Sequence, residues 1–194
     1  MLQTLFFMYQ DFCTAQFPHA SIVMTMSNAL NSAMGVFASH VGKPQSHWVY
    51  SVVMVVMTGF GGGIIAPICL GRPTGPFSND LIVPCCVVAW YTSHVLGLSS
   101  FYNRVEVKVL RGVGLAIFRT HTQTGAVTLA TNLLVAGKYY PMPLVGPILA
   151  GTLTGSMGQF FPLDKGLTPI KDGPPWTMQI AFCVSAFYYF MVCD

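Results

Sequence analysis

The chain has 194 residues, of which 8% are charged and 53% apolar, and its mean hydropathy is +0.60. A soluble domain carries about 25% charged residues, so the composition excludes an ordinary water-soluble globule and predicts one integral membrane domain. The net charge is only +3, and no basic cluster interleaved with aromatics points to a nucleic-acid partner.

The N-terminal segment, 1–16, has no basic leading region and carries Asp11, so it does not read as a signal peptide. Beyond it, charged residues bound six uncharged stretches of 18 to 31 residues, roughly the length a bilayer-crossing helix needs. The predicted helices are 18–40, 47–70, 80–98, 104–135, 141–161 and 175–193. Ser27, Asn28, Asn31 and Ser32 make the first polar, which suits a helix facing a cavity. The second is interrupted by Gly59-Phe60-Gly61-Gly62-Gly63. Each interior glycine costs roughly 1 kcal/mol relative to Ala, and in lipid a freed backbone group needs a partner. The triplet reads either as close packing through small residues or as a discontinuous helix whose open backbone lines a polar path. Gly71-Arg72-Pro73-Thr74-Gly75-Pro76 forms the turn to the third span.

The fourth span carries Arg104, Lys108, Arg111 and Arg119, with Glu106 between the first two. Their spacing places all four bases near one helix face. Arg104, Lys108 and Arg111 read as snorkelling anchors. Arg119 lies about 20 Å along the helix from Arg104. At that depth it needs a polar cavity, an anionic lipid head group or a carboxylate. Thr120, His121, Thr122 and Thr124 make its surroundings polar. The fifth span holds a second glycine-rich break, with Gly151, Gly155 and Gly158. Asp172-Gly173-Pro174-Pro175 leads into the sixth, with proline in its first turn. Tyr9, Trp48, Trp90, Tyr91, Tyr139, Tyr140 and Trp176 fall near span ends, as interfacial anchors do.

No enzyme signature is present. Cys13, Cys69, Cys85, Cys86, Cys183 and Cys193 have no metal-ligand spacing and read as reduced, small apolar residues. His19, His40, His47, His94 and His121 have neither ligand spacing nor a carboxylate pair and read as interfacial or solvated. The glycine-rich segment is followed by no Lys-Ser/Thr, so it is not a phosphate loop. Neither a metal nor a resident cofactor is expected from these residues.

Residues 136–166 can be laid under 41–71 without a gap. Gly137-Lys138 then falls on Gly42-Lys43, Gly158 on Gly63, Pro162 on Pro67 and Gly166 on Gly71. This predicts an internal duplication, 17–100 and 101–194, with a broken helix in each half. Three spans per half is an odd number, so the halves are expected to be inverted. Lys43, Arg104, Lys108, Arg111, Lys165 and Lys171 fall on one side of the membrane, Arg72 and Lys138 on the other. The bias puts the first set in the cytosol and the N-terminus in the lumen or outside.

The chain resembles the trimeric intracellular cation channels of the endoplasmic and sarcoplasmic reticulum. The resemblance rests on Ser46-His47-Trp48, the Gly61-Gly62-Gly63-Ile64-Ile65 run, Asn79 and Ala89-Trp90-Tyr91. It resumes at Phe118-Arg119, Gly125-Ala126-Val127, Tyr140-Pro141 and residues 151–158. It implies an all-α membrane protein of two inverted three-helix repeats, glycine-broken in helices 2 and 5, forming a homotrimer with a pore in each protomer. Gly61, Gly62, Gly63, Gly151, Gly155 and Gly158 would be pore or hinge residues. The resemblance further implies potassium and sodium permeation as counter-ion flow in an intracellular membrane, and an acidic inositol lipid held beside the pore. Lys108, Arg111 and Arg119 are the candidates for lipid binding or gating. The chain departs from the family in four places, one of them Thr154, which stands where a basic residue is usual just before the second glycine triplet. Its second glycine triplet is reduced to Gly155 and Gly158. Leu115-Ala116-Ile117 stands where the family has Lys-Glu-Val, and the family's seventh helix has no counterpart before Asp194. These departures keep open a non-conducting structural subunit of a larger assembly and a small-solute transporter. No Asp or Glu lies in the second or fifth span, which argues against a divalent pore and for weak selectivity between potassium and sodium.

Overall fold

A computed structural model describes residues 18–40, 47–137, 143–161 and 166–193. The N-terminal segment 1–16, Gly42, Lys43, Lys138, Tyr139, Tyr140, Pro162 and Lys165 lie outside the described residues, with the expectations that rest on them.

The described residues form helices and turns without strands. Helix α1 spans Ala20–His40; α2 and α3 are Trp48–Phe60 and Gly62–Cys69; α4 is Gly75–Ser78. Helix α5, Ile82–Trp90, runs on into a π turn, Tyr91–Val95, and α6 is Ser99–Tyr102. Helix α7 spans Val105–Ala136, and α8, Val145–Ser156, passes into a 3-10 turn at Met157–Phe160. Helix α9, Trp176–Tyr188, ends in a second π turn, Tyr189–Cys193.

Local chemistry sets the ends. His47 accepts from the Val49 amide at 3.3 Å and caps α2, and the Asn79 side chain accepts from Leu81 at 3.0 Å ahead of α5. Gly71 closes α3 at φ +64°, a left-handed conformation that a side chain disfavours. The predicted second span is two helices, bent by 61° at Gly61. Pro67, inside α3, has no N–H to give the Gly63 carbonyl four residues back. That carbonyl lies against Gly75, where an added Cβ would sit 3.3 Å from it.

The fifth span differs from its expectation. Helix α8 continues through Gly151 and Gly155, and the change of pitch comes only at Met157. Gly151 is a packing position instead: a Cβ there would press on Ser185 of α9 and Val127 of α7. Glycine propensity is a weak preference that tertiary packing overrides, and this helix is held between α7 and α9.

Two helix groups share the fold. The first buries Ala29, Ala33 and Val36 of α1 against Met54, Val55 and Phe60 of α2 and Cys85, Cys86 and Ala89 of α5. The second joins Val127 of α7, Ile148 of α8 and Tyr189. Helix α1 packs on α7 and α3 on α8, which brings the groups together. Polar residues Thr25, Asn28, Ser51, Ser93, Gln123, Thr152, Ser156 and Ser185 are buried, while Leu110, Trp176, Phe187 and Met191 are exposed. Large exposed apolar side chains of this kind mark a surface that meets lipid or another subunit. No single described helix is long and apolar enough to cross a membrane, but the bent pair α2–α3 is, by length and composition.

Candidate functional site: a central cavity at the crossing of two glycine helices

Between α1, α2–α3, α7 and α8 lies a cavity of about 400 Å³. Helix α1 gives it Asn28, Asn31, Ser32 and Ser39; of the polar residues singled out in the first span, Ser27 does not line it and lies against Gly114 of α7 instead. Helix α7 contributes Phe118, Arg119 and Thr122, and the glycine segments complete the wall with Thr58, Gly59, Gly62, Thr154, Ser156 and Gly158.

The glycines allow the two segments to cross backbone to backbone. A Cβ on Gly62 would overlap the Thr154 carbonyl, and one on Gly158 would overlap the Thr58 carbonyl. The contacts are reciprocal, and they expose a repeat that the ungapped overlay misses. Thr58-Gly59-Phe60-Gly61-Gly62 and Thr154-Gly155-Ser156-Met157-Gly158 are two copies of Thr-Gly-x-x-Gly. Gly158 therefore matches Gly62, and not Gly63 as the overlay has it. The second position of each copy receives an amide side chain from a different helix. Asn28 of α1 donates to the Gly59 carbonyl at 2.8 Å, and Gln123 of α7 packs on Gly155. The remaining two glycines of the triplet differ from Gly62. A Cβ added at Gly61 would lie 2.5 Å from the Phe161 ring, whereas one at Gly63 has nothing within 4 Å.

The four bases at the start of α7 and along it meet different surroundings. Arg104 lies over the Phe101 ring, 5.7 Å from its centroid, and Lys108 is exposed. Arg111, expected at the surface as an anchor, is 8% exposed. Its Nη1 donates to the Leu30 carbonyl at 3.3 Å, and Asn31 donates to the Arg111 carbonyl at 3.2 Å. The pair of bonds ties α1 to α7 at one edge of the cavity. Arg119 lines the cavity itself. Of the described carboxylates, Asp80, Glu106 and Asp172, none does.

The donors and acceptors of the wall are unbalanced. Each lining hydroxyl spends its proton on a carbonyl of its own helix. Ser32 donates to Asn28 O, Ser39 to Val36 O and Thr58 to Met54 O. Thr122 donates to Phe118 O, Thr154 to Ala150 O and Ser156 to Thr152 O. A hydroxyl carries one donor and two acceptor lone pairs, so what these groups have left to offer is oxygen lone pairs. Asn28 and Asn31 likewise spend N–H groups on backbone carbonyls.

His94 is not a solvated histidine. It stacks on Trp90 at 5.8 Å, meets Phe37 edge-on at 5.2 Å and shares a hydrogen bond with the Ser93 hydroxyl at 2.9 Å. Among the described residues no group of three His, Cys, Asp or Glu side chains is placed to hold a metal ion.

No family model matches the sequence, and no curated protein does. Among solved structures, a trimeric intracellular cation channel from C. elegans, determined in the absence of Ca2+, has the same fold. The TM-score is 0.67 at 16% identity, covering 90% of this chain and 79% of that one.

Proposed function

We propose that the chain is a monovalent cation channel of an intracellular membrane, passing potassium and sodium through the central cavity of each protomer of a homotrimer and so supporting counter-ion flow. One observation carries the reading: every hydroxyl that lines the cavity has its proton committed to a carbonyl of its own helix and keeps lone pairs free, and no described carboxylate lines it. Such oxygens replace part of the hydration shell of a singly charged ion. A divalent ion, held by carboxylates in protein sites, finds none here and meets twice the repulsion from Arg119, since Coulomb energy scales with charge. The fold shared with a cation channel supports the same reading, as does the exposed apolar exterior.

Arg119 serves a second purpose in this proposal. With no described carboxylate lining the cavity, its guanidinium is matched by an acidic phospholipid head group, with the exposed Lys108 on the same helix as an outer contact. Arg111, tied to Leu30, holds α1 in place and does not face lipid.

The test is flux. Purified protein in liposomes of neutral phospholipid should pass potassium well above empty liposomes, and native mass measurement should give three copies of this chain. Arg119→Leu should lose co-purifying acidic phospholipid while staying folded. Absence of cation flux from a folded homotrimer overturns the channel. Foreign subunits at fixed stoichiometry would favour a structural role, and unchanged lipid content removes Arg119 from lipid binding.

A further inference from the structure

We propose that Asn28 is a positioning residue of the channel: its carboxamide supplies the donor that the broken helix lacks at the Gly59 carbonyl, and so holds the α2–α3 bend that shapes the cavity. This rests on the channel reading above. The last four carbonyls of a helix have no partner within it, and Gly59 lies in the last turn of α2. In an unbroken helix its carbonyl would take the amide of Gly63, four residues on. Gly61 belongs to neither helix, and α3 starts a ladder of its own there: the Gly61 carbonyl accepts from Ile64 at 3.2 Å and from Ile65 at 3.0 Å. The Gly59 carbonyl is met instead from outside, by Asn28 Nδ2 of α1 at 2.8 Å. A carbonyl freed within a membrane needs such a partner.

The donor is held where it is needed. Asn28 is 3% exposed. One turn on, Ser32 packs so closely on α2 that a Cβ added at Gly59 would lie 2.5 Å from its Oγ. On its other side α1 is fixed to α7, through Arg111 Nη1 on the Leu30 carbonyl and Asn31 Nδ2 on the Arg111 carbonyl. The segment 28–31 thus ties the bend to the helix that carries Arg119. Two arrangements compete for one carbonyl: a straight helix closed by the Gly63 amide, and the 61° bend closed by Asn28. Thr58, Gly59 and Gly62 all line the cavity, so straightening α2–α3 would rebuild its wall.

The experiment reads the bend and the flux together. In a cysteine-free background, spin labels at Val53→Cys on α2 and Ile68→Cys on α3, both exposed positions, report the distance across Gly61. Asn28→Leu keeps roughly the size of asparagine and removes the N–H groups. It should lengthen that distance by about 3 Å, given a rise of 1.5 Å per residue on either side of the bend. It should also lower potassium flux in liposomes about tenfold, the shift expected when a buried carbonyl loses its hydrogen bond. Asn28→Asp, whose carboxylate only accepts, should lengthen the distance as leucine does. Proline at position 63 has no N–H for the Gly59 carbonyl and cannot close the straight helix. Gly63→Pro added to Asn28→Leu should therefore bring back the wild-type distance and flux. Asn28→Ala covers a leucine chain that fails to assemble. If neither assembles, Gly63→Pro must restore assembly; a failure there makes Asn28 a packing residue and overturns the proposal. A wild-type distance in folded Asn28→Leu or Asn28→Asp overturns it too, whether flux is kept or lost. So does flux that stays low once Gly63→Pro has restored the distance, because the amide then meets the ion itself. A wild-type trimer without cation flux overturns the channel, and the distance, which does not depend on flux, still tests Asn28 on its own.

Discussion

At the scale of single residues, neighbouring glycines of one triplet do different work. Gly62 has the Thr154 backbone where its side chain would be, and Gly63 has open space. A backbone carbonyl cannot swing aside as a flexible side chain can, so an added methyl must push two helices apart. Gly62→Ala should therefore destabilise the protein by about 1–3 kcal/mol, the usual cost of overpacking. Gly63→Ala should stay within about 0.5 kcal/mol of wild type, helped by alanine's better helix propensity. Thermal unfolding in detergent checks both, and equal shifts would deny the crossing. A larger residue makes the point more strongly. From the sequence, Gly62→Leu reads as filling a constriction while fold and trimer persist. With the Thr154 carbonyl in contact, it must disturb the packing of α3 on α8 before it can block anything.

At the scale of elements, the crossing of α2–α3 with α8 behaves as one contact made twice. Parting the helices at Gly62 also relieves the overlap at Gly158. The double variant Gly62→Ala, Gly158→Ala should therefore cost less than the two single variants together, by about 1 kcal/mol, as coupled neighbours do. Strict additivity would mean that the two contacts open independently. The all-helical fold is legible because charges, prolines and Gly71 punctuate the apolar stretches, and the described helices start or stop close to those marks. The register of the repeat was not legible. The overlay was anchored on Gly42-Lys43 and Pro67, whereas the folded contacts are anchored on Thr58 and Thr154, one residue out of step. The Thr-Gly-x-x-Gly spacing was the available signal, hidden because threonine in an apolar run reads as filler. Arg111 was misplaced for a related reason. Helical spacing puts it beside Lys108, but spacing cannot show that Leu30 and Asn31 present a carbonyl and an amide to receive it.

At the scale of the whole molecule, orientation follows from which basic residues are free to sit at an interface. Arg111 is committed to α1, so it no longer counts toward the bias, yet Lys43, Arg104, Lys108, Lys165 and Lys171 still outnumber Arg72 and Lys138. Basic residues near span ends are retained in the cytosol. The segment around α6, between the π turn after α5 and the start of α7, should then be cytosolic. The segment around α4, which follows the bent pair, should be on the other side, because one further span separates them. Ser100 on α6 and Phe77 on α4, the latter 90% exposed, are suitable probes. In a cysteine-free background, Ser100→Cys should react with a membrane-impermeant maleimide from the cytosol alone, and Phe77→Cys only after the lumen is opened. The two outcomes together test more than orientation. If both label from the cytosol, the segment between them does not cross, and a half with three spans is ruled out. If both label but with the sides exchanged, the spans stand and the charge bias is the part that fails.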